Sequence, residues 1–423
     1  VTAKQVAMKH AEIVAELRRQ FTSNPPARIG IAVSGGGDSV ALLHLLHDCF
    51  GDQPVELMAA TVDHRLRDAS RSEAEYVATL AADLGIRHEI LSWQEGPQES
   101  GNLQDQAREA RYRLLSAWAR KHGIPVLTLG HTADDQAETV LMRLKRASGV
   151  SGLAGIPQRR TLNGIGLLRP LLEVRRDTLR QYLQARGTRW IEDPSNDDET
   201  FERIRMRKAL GALEDLGLTV EALSTVAQNM HKARRALDWY VFLAARDMAR
   251  FEAGAIVFEL RKFRTLPDEI SHRLLLEAIL WISGGQYPPR RLPMIEAVAT
   301  AQRGNSTTLA GCRILSRKCG VWICREFNAV RDHSARSGDL WDQRWRVYAG
   351  ELGGCEVRAL GPAGLAQCPD WRATSVPGPV LEVTPALWEG DDLKAAPVAG
   401  YANGSSAEPK NSAEEFFASL LSH

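Results

Sequence analysis

Between Arg28 and Arg146 the chain alternates short apolar runs with amphipathic ones four times, and that rhythm leaves few folds open. RIGIAV leads to a helix from Ser39, and VELMAATV to a helix from about Arg71. RHEILSW leads to a helix from about Leu103, and PVLTLG to one from about Asp134. Short strands alternating with helices build a doubly wound parallel sheet, an α/β domain covered on both faces. Ligands on such sheets bind outside the carboxyl ends of the strands. SGGGDS, DHRLR and GHTADDQ each follow a strand directly, so all three are expected on that rim.

Downstream of this domain, taken as residues 1–212, the pattern changes. Residues 213–330 read as a mostly helical domain entered through one long helix, Val220 to Phe251. Residues 335–392 read as a small α+β domain of short strands with many Gly and Pro, and 393–423 as a flexible tail. Within that tail, Ala395 to Asn411 has linker composition, and Ser412 with Glu415 forms a capping box for a last short helix. The connection GVSGLAGIP suits a mobile loop. No apolar run approaches the ~20 residues that span a bilayer, and the first twenty residues read as an amphipathic helix, not a secretory signal. Six cysteines without a C-x-x-C pair argue against a zinc or iron–sulfur centre and for the cytoplasm. The net charge of +1 hides a local excess: Leu141 to Leu210 holds fifteen Lys/Arg against eight Asp/Glu. Arg203, Arg205, Arg207 and Lys208 form the densest part of it, either a solvated helix face or a contact for a polyanion.

The glycine loop after the first strand carries the chemistry. Ser34, Gly35, Gly36, Gly37, Asp38 and Ser39 lead straight into an apolar helix. Such a unit turns backbone N–H groups and a helix N-terminus towards a phosphate chain. It lacks the G-x-x-x-x-G-K-[ST] pattern of the loop that grips a transferable γ-phosphate. SGGGDS instead resembles the pyrophosphate loop of the ATP pyrophosphatases. VDHRLRDASRSEAE carries His64, and NLQDQAREARYRLL carries Arg108, Arg111 and Tyr112. GHTADDQAETVLMRL carries His131, Asp134, Asp135, Gln136, Glu138 and Thr139. LLRPLL carries Arg169 and Pro170, and EDPSN carries Glu192, Asp193, Ser195 and Asn196. In this order the motifs resemble those of the tRNA(Ile)-lysidine synthetases, a family of the pyrophosphate-loop (N-type) superfamily. The resemblance covers the first 210 residues and continues more weakly to about residue 390. Gly37 stands where that family usually has a larger residue, and Arg203-Ile204-Arg205-Met206-Arg207 lacks the asparagine of its usual R-N-x-x-R run.

The resemblance implies a Rossmann-like catalytic domain and an ATP-dependent ligase that forms a carbon–nitrogen bond. Its substrates would be free L-lysine and the wobble cytidine of a tRNA(Ile) with a CAU anticodon; no membrane is implied, and a homodimer is compatible with it. Ser34, Gly35, Gly36, Gly37 and Ser39 would hold the leaving pyrophosphate, and Asp38 a Mg²⁺ that bridges phosphate oxygens. Asp134 and Asp135 would hold metal or bind the lysine ammonium and take its proton, with His131 and Glu138 on the substrate side. Arg108 and Arg111 would meet the α-phosphate or the lysine carboxylate, and Arg203, Arg205 and Arg207 the RNA backbone. Each role has a plainer alternative. Asp38, Asp134 and Asp135 sit where helix caps belong, Arg108 and Arg111 where surface ion pairs form, and His64, Trp190 and Trp239 where packing is common. Another ATP-pyrophosphatase-type tRNA modifier, such as a thiolase, would need reactive cysteines, and Cys49 reads as core filler. A non-catalytic ATP-binding regulator would need neither paired carboxylates nor two further domains.

Overall fold

The computed structural model describes residues 3–21, 25–66, 70–97, 102–192, 202–285, 287–317 and 320–421. The chain divides into two compact units, Val1–Arg234 and Arg235–His423. The first unit opens with α1 (Ala3–Gln20), β1 (Arg28–Ala32), α2 (Gly37–Phe50), β2 (Glu56–Asp63), α3 (Ser70–Asp83), β3 (Arg87–Ser92), α4 (Leu103–Lys121), β4 (Val126–Leu129) and α5 (Ala133–Lys145). It continues with α6 (Val150–Leu153), β5 (Arg159–Leu162), β6 (Ile165–Leu168), α7 (Arg176–Ala185), α8 (Glu202–Glu214) and α9 (Val220–Met248), whose last turns belong to the second unit. The sheet runs β3-β2-β1-β4-β6-β5, parallel except for β5. Four of its strands and their helices lie where the alternation predicts.

The hairpin β5–β6 was not foreseen. Its Asn163-Gly164 tip has φ of 51° and 79°, the left-handed pair that a two-residue hairpin turn demands. Ile29 and Ile31 of β1 bury against Leu42, Leu45 and Leu46 of α2 and Leu179 and Leu183 of α7. On the other face Met58 and Leu127 pack against Leu115 and Trp118 of α4. The strand order reverses between β1 and β4, which opens a crevice at their carboxyl ends. There β4 runs directly under the start of α2. A Cβ on Gly130 would lie 3.0 Å from the Asp38 carbonyl oxygen and from the Ser39 Cα, so any larger residue here would have to push the backbone of α2 back by a few tenths of an ångström.

The segment expected to be a mobile loop is pinned. Arg143 donates to the carbonyls of Gly152 (2.6 Å) and Gly155 (2.9 Å). The Gln136 amide closes on Ile156 from both sides, accepting from its N–H at 2.6 Å and donating to its carbonyl at 3.1 Å. Polar residues of the preceding helix thus supply the order that the glycine-rich composition lacks.

The second unit is built on an antiparallel sheet, order β7-β8-β11-β10-β9. Its elements are β7 (Ala249–Glu252), β8 (Ala255–Glu259), α10 (Leu260–Thr265), α11 (Asp268–Ser283), α12 (Arg291–Gln302), β9 (Thr307–Leu309), β10 (Cys312–Arg317) and β11 (Gly320–Arg325). Period-two alternation gives it two buried faces. Ile256, Phe258, Ile314, Val321 and Ile323 join a core with α11 and α12, while Val257, Leu315, Trp322 and Cys324 join a second core with residues 330–399. Two three-stranded sheets complete the unit. The flexible tail expected over 393–423, with its linker from Ala395 to Asn411, needs correction. Ala395, Ala396 and Ala399 are fully buried, and Ser406–Pro409 pairs with Trp345–Tyr348. Small side chains here fill a core close to backbone, a role that low hydrophobicity conceals. The expected capping box is present on the last helix, Ala413–Ser419. Among the described residues no helix is long and apolar enough to cross a membrane.

Candidate active site

The first unit holds a cavity of about 1080 Å³ at the crevice between β1 and β4. Its floor is the glycine loop. Gly35 has φ +90°, a conformation that favours glycine, and a Cβ there would lie 2.6 Å from Ile191 Cδ1, which would have to shift. The Ser39 hydroxyl accepts from the Ser34 N–H (3.1 Å) and donates to the Gly36 carbonyl (2.9 Å), which holds the loop in shape. No side chain caps the first turn of α2, whose Ser39 N–H already donates to the Gly36 carbonyl at 3.0 Å. Ile191 N–H donates to the Gly35 carbonyl at 2.9 Å, and the Trp190 indole lies 3.4 Å from where a Gly37 Cβ would stand. Trp190 therefore packs on the loop.

Beside the loop stands an array of carboxylates. Thr132 caps α5 in a capping box with Asp135, whose carboxylate accepts from the Thr132 N–H at 2.8 Å. Asp134 turns away and accepts from the Arg176 N–H at 2.8 Å, which caps α7. The Arg176 guanidinium reaches Asp38 (2.9 Å), Asp135 (3.3 Å) and Glu138 (3.5 Å). Glu138 is fully buried and also takes Arg207 at 2.9 Å and Arg203 at 3.5 Å. Burial alone would raise the Asp135 carboxyl, but Arg176, His131, Arg203 and the Thr132 N–H hold it below its usual range. At Asp38 burial wins over Arg176 and the pKa rises. At Glu138 burial and Asp135 outweigh Arg207 and Arg176, and the pKa again rises. Burial, reinforced by Arg169, Arg203 and Arg111, pushes the His131 pKa far down despite Asp135, so the imidazole is neutral near pH 7. His64 also lines the cavity, its pKa lowered by burial and Arg111.

The lining is also basic. Arg111 faces the cavity, its pKa lowered by burial and by Arg108 and Arg203. Arg108 and Arg111 both lie over the Tyr112 ring, at 5.2 and 5.8 Å from its centroid. Arg203, Arg207 and Lys208 of α8 and Arg180 of α7 complete the basic lining.

Of the residues singled out in the sequence, Ser34, Gly36, Gly37, Asp38, Ser39, Arg111, His131, Asp135, Arg203 and Arg207 line one cavity. Gly35 forms the turn beneath it. Asp134, Glu138, Arg108 and Arg205 are not on its wall: the first caps α7, the second anchors three arginines, and the last two are exposed. Asp193, Ser195 and Asn196 lie outside the described residues. Arg176 was missed. A signal existed, since Arg175 and Arg176 open a helix whose dipole disfavours positive charge there, and such residues need nearby acids. Cys49 is buried, with its thiol pushed up to about 11 by burial, as suits core filler. Among the described residues no cluster of three or more His, Cys, Asp or Glu is arranged to hold a metal.

Residues 5–214 match a family described as a PP-loop domain. The tRNA(Ile)-lysidine synthase of Ruegeria pomeroyi is 52% identical over 97% of this chain and 98% of its own length. The protein of that name from Wolbachia pipientis wMel is 36% identical over 78% of this chain and 79% of its own. That from Methylobacterium nodulans is 40% identical over 68% and 84%.

Proposed function

Because this chain belongs to the tRNA(Ile)-lysidine synthase family, we propose that it joins free L-lysine to C2 of the wobble cytidine in a CAU-anticodon tRNA(Ile). The ring carbonyl is a poor leaving group, so activation comes first. The cytidine O2 attacks the α-phosphate of ATP, and the bond to pyrophosphate breaks. The lysine ε-amine then attacks C2, and the C2–O bond breaks with release of AMP. The product lysidine changes the codon read from AUG to AUA. The setting is the cytoplasm, and the second unit, Arg235–His423, serves to read the tRNA.

The Gly35, Gly36 and Gly37 N–H groups and the Ser34 hydroxyl receive the departing pyrophosphate, and Ser39 holds the loop in shape around it. Arg111 and Arg203 face the α-phosphate, where charge builds in the first step. Free lysine carries its ε-proton up to a pKa near ~10.4, so attack needs an acceptor. Asp135, ionised and on the cavity wall, is that acceptor, with neutral His131 beside it. Asp38 lines the cavity beside the loop and offers a hard oxygen, and Mg²⁺ takes one or two carboxylates plus phosphate oxygens, so Asp38 with the phosphates fits the ion. When bound, Mg²⁺ would neutralise phosphate charge.

One observation carries the reading: a glycine loop, the Asp135 carboxylate and five arginines share one cavity. The test is mass spectrometry of nucleosides from CAU-anticodon tRNA(Ile) incubated with protein, ATP, Mg²⁺ and lysine. A lysine-sized adduct on cytidine is expected. Pyrophosphate release without that adduct would point to another base modification, such as thiolation.

A further inference from the structure

Arg176 belongs to none of the motifs that carry the family resemblance, yet it is held at both ends inside the cavity. Its backbone N–H is fixed by Asp134, and its guanidinium joins Asp38 of α2 to Asp135 and Glu138 of α5. One planar fork thus ties together three elements, which a lysine, as a point charge, cannot do. The side chain is 13% exposed and Glu138 not at all, so these contacts are shielded from solvent. Arg203 and Arg207 also serve Glu138, whereas Arg176 is the guanidinium that meets both Asp38 and Asp135. Without it, two carboxylates face each other across the space it bridges, and like charges so placed favour either protonation or capture of another cation.

We propose that Arg176 is a positioning residue of the adenylation centre, a resident guanidinium that holds Asp38 and Asp135 in one array and fills the place of a divalent cation between them. The inference rests on the proposed reaction only for what the two aspartates do; the array stands without it. Arginine sets the spacing and direction of both carboxylates before any reactant arrives, so neither has to be ordered during turnover.

The test compares the full chain with Arg176→Gln and Arg176→Lys, each checked for folding by circular dichroism. Mn²⁺ serves as the probe cation, titrated calorimetrically into nucleotide-free protein. Arg176→Gln is expected to bind Mn²⁺ at least ~10-fold more tightly than the parent, because two carboxylates lose their internal cation. A purely structural pin would give no such gain. In pyrophosphate release with ATP, Mg²⁺, lysine and tRNA, the same variant should lose ~10²-fold in kcat with KM for ATP within about three-fold, since the loop donors are untouched. Arg176→Lys should recover part of kcat and keep Mn²⁺ binding near the parent's. Unchanged Mn²⁺ affinity in folded Arg176→Gln, or kcat within about two-fold of the parent, overturns the proposal. If Arg176→Gln does not fold, Arg176→Lys decides: kcat reduced ~10-fold supports the fork, and parental kcat removes it. A parent chain that forms no lysine adduct sinks the functional reading instead, and the Mn²⁺ comparison then decides the role of Arg176.

Discussion

At Gly35 two demands meet: a left-handed backbone and a neighbour, Ile191 Cδ1, in the space a Cβ would take. Gly35→Ala should therefore cost about 1–3 kcal/mol and displace the Ile191 side chain. Calorimetry should find ATP affinity lower by ~10-fold or more, a loss of ~1.4 kcal/mol; parental affinity would mean the loop tolerates the residue. Cys49 carries the opposite expectation. Its thiol is buried and held protonated, so Cys49→Ser should keep most of the turnover measured by pyrophosphate release. Lost catalysis in a stable Cys49→Ser protein would revive the thiolase alternative. Both residues were legible in the sequence because local pattern decides them. Arg176 was not, since its partner Asp38 lies 138 positions away and only the fold brings them together.

Among the elements, α8 shows how a charge run divides its work. Arg203 and Arg207 reach back to the buried Glu138, while Arg205 points to the exposed side. Arg205→Ala should weaken tRNA binding and flatten its salt dependence by roughly ~1 in slope, leaving turnover at saturating tRNA near parental. Arg207→Ala should lower turnover as well, because it leaves Glu138 with one cation fewer in a buried setting. Equal effects of the two changes on rate would remove this division. The sequence marked the run as basic but could not sort it, because helix register becomes a direction only once a neighbouring helix is placed. The hairpin β5–β6 escaped for a different reason: its four-residue strands are too short for periodicity, and Asn163-Gly164 was the one clue.

For the molecule as a whole, the question is where the ATP-binding part can be cut. The alternation in the sequence suggests a boundary near residue 212. The packing moves that cut: Leu210, Val220, Leu223 and Ala227 share a core cluster with Ala133, Ala137 and Val140 of α5. A fragment ending at Arg234 should fold and bind ATP, whereas one ending at Leu210 strips three apolar side chains from the helix that carries Asp135. Burying a side chain such as Val or Leu is worth ~1.5–3 kcal/mol, so the shorter fragment should melt earlier. Initial lysine incorporation should be slower in the Arg234 fragment than in the whole chain. Its discrimination between tRNA(Ile) with CAU and a methionine tRNA with the same anticodon should also fall. A fragment that equals the whole chain in both respects would place tRNA selection within the first 234 residues.

The last helix has a consequence for how the chain is made. Phe416, Phe417 and Leu420 are buried in the core beneath the five-stranded sheet, where the Phe416 ring meets Phe251 and Trp281 edge-on. Residues more than 160 positions apart must therefore meet before that core is complete. The first unit contains all of its own strands and can fold while the ribosome is still translating. The second is complete only when this helix has cleared the exit tunnel, and during that interval the apolar groups that it covers, Phe251 and Trp281 among them, are open to chaperones and to other nascent chains.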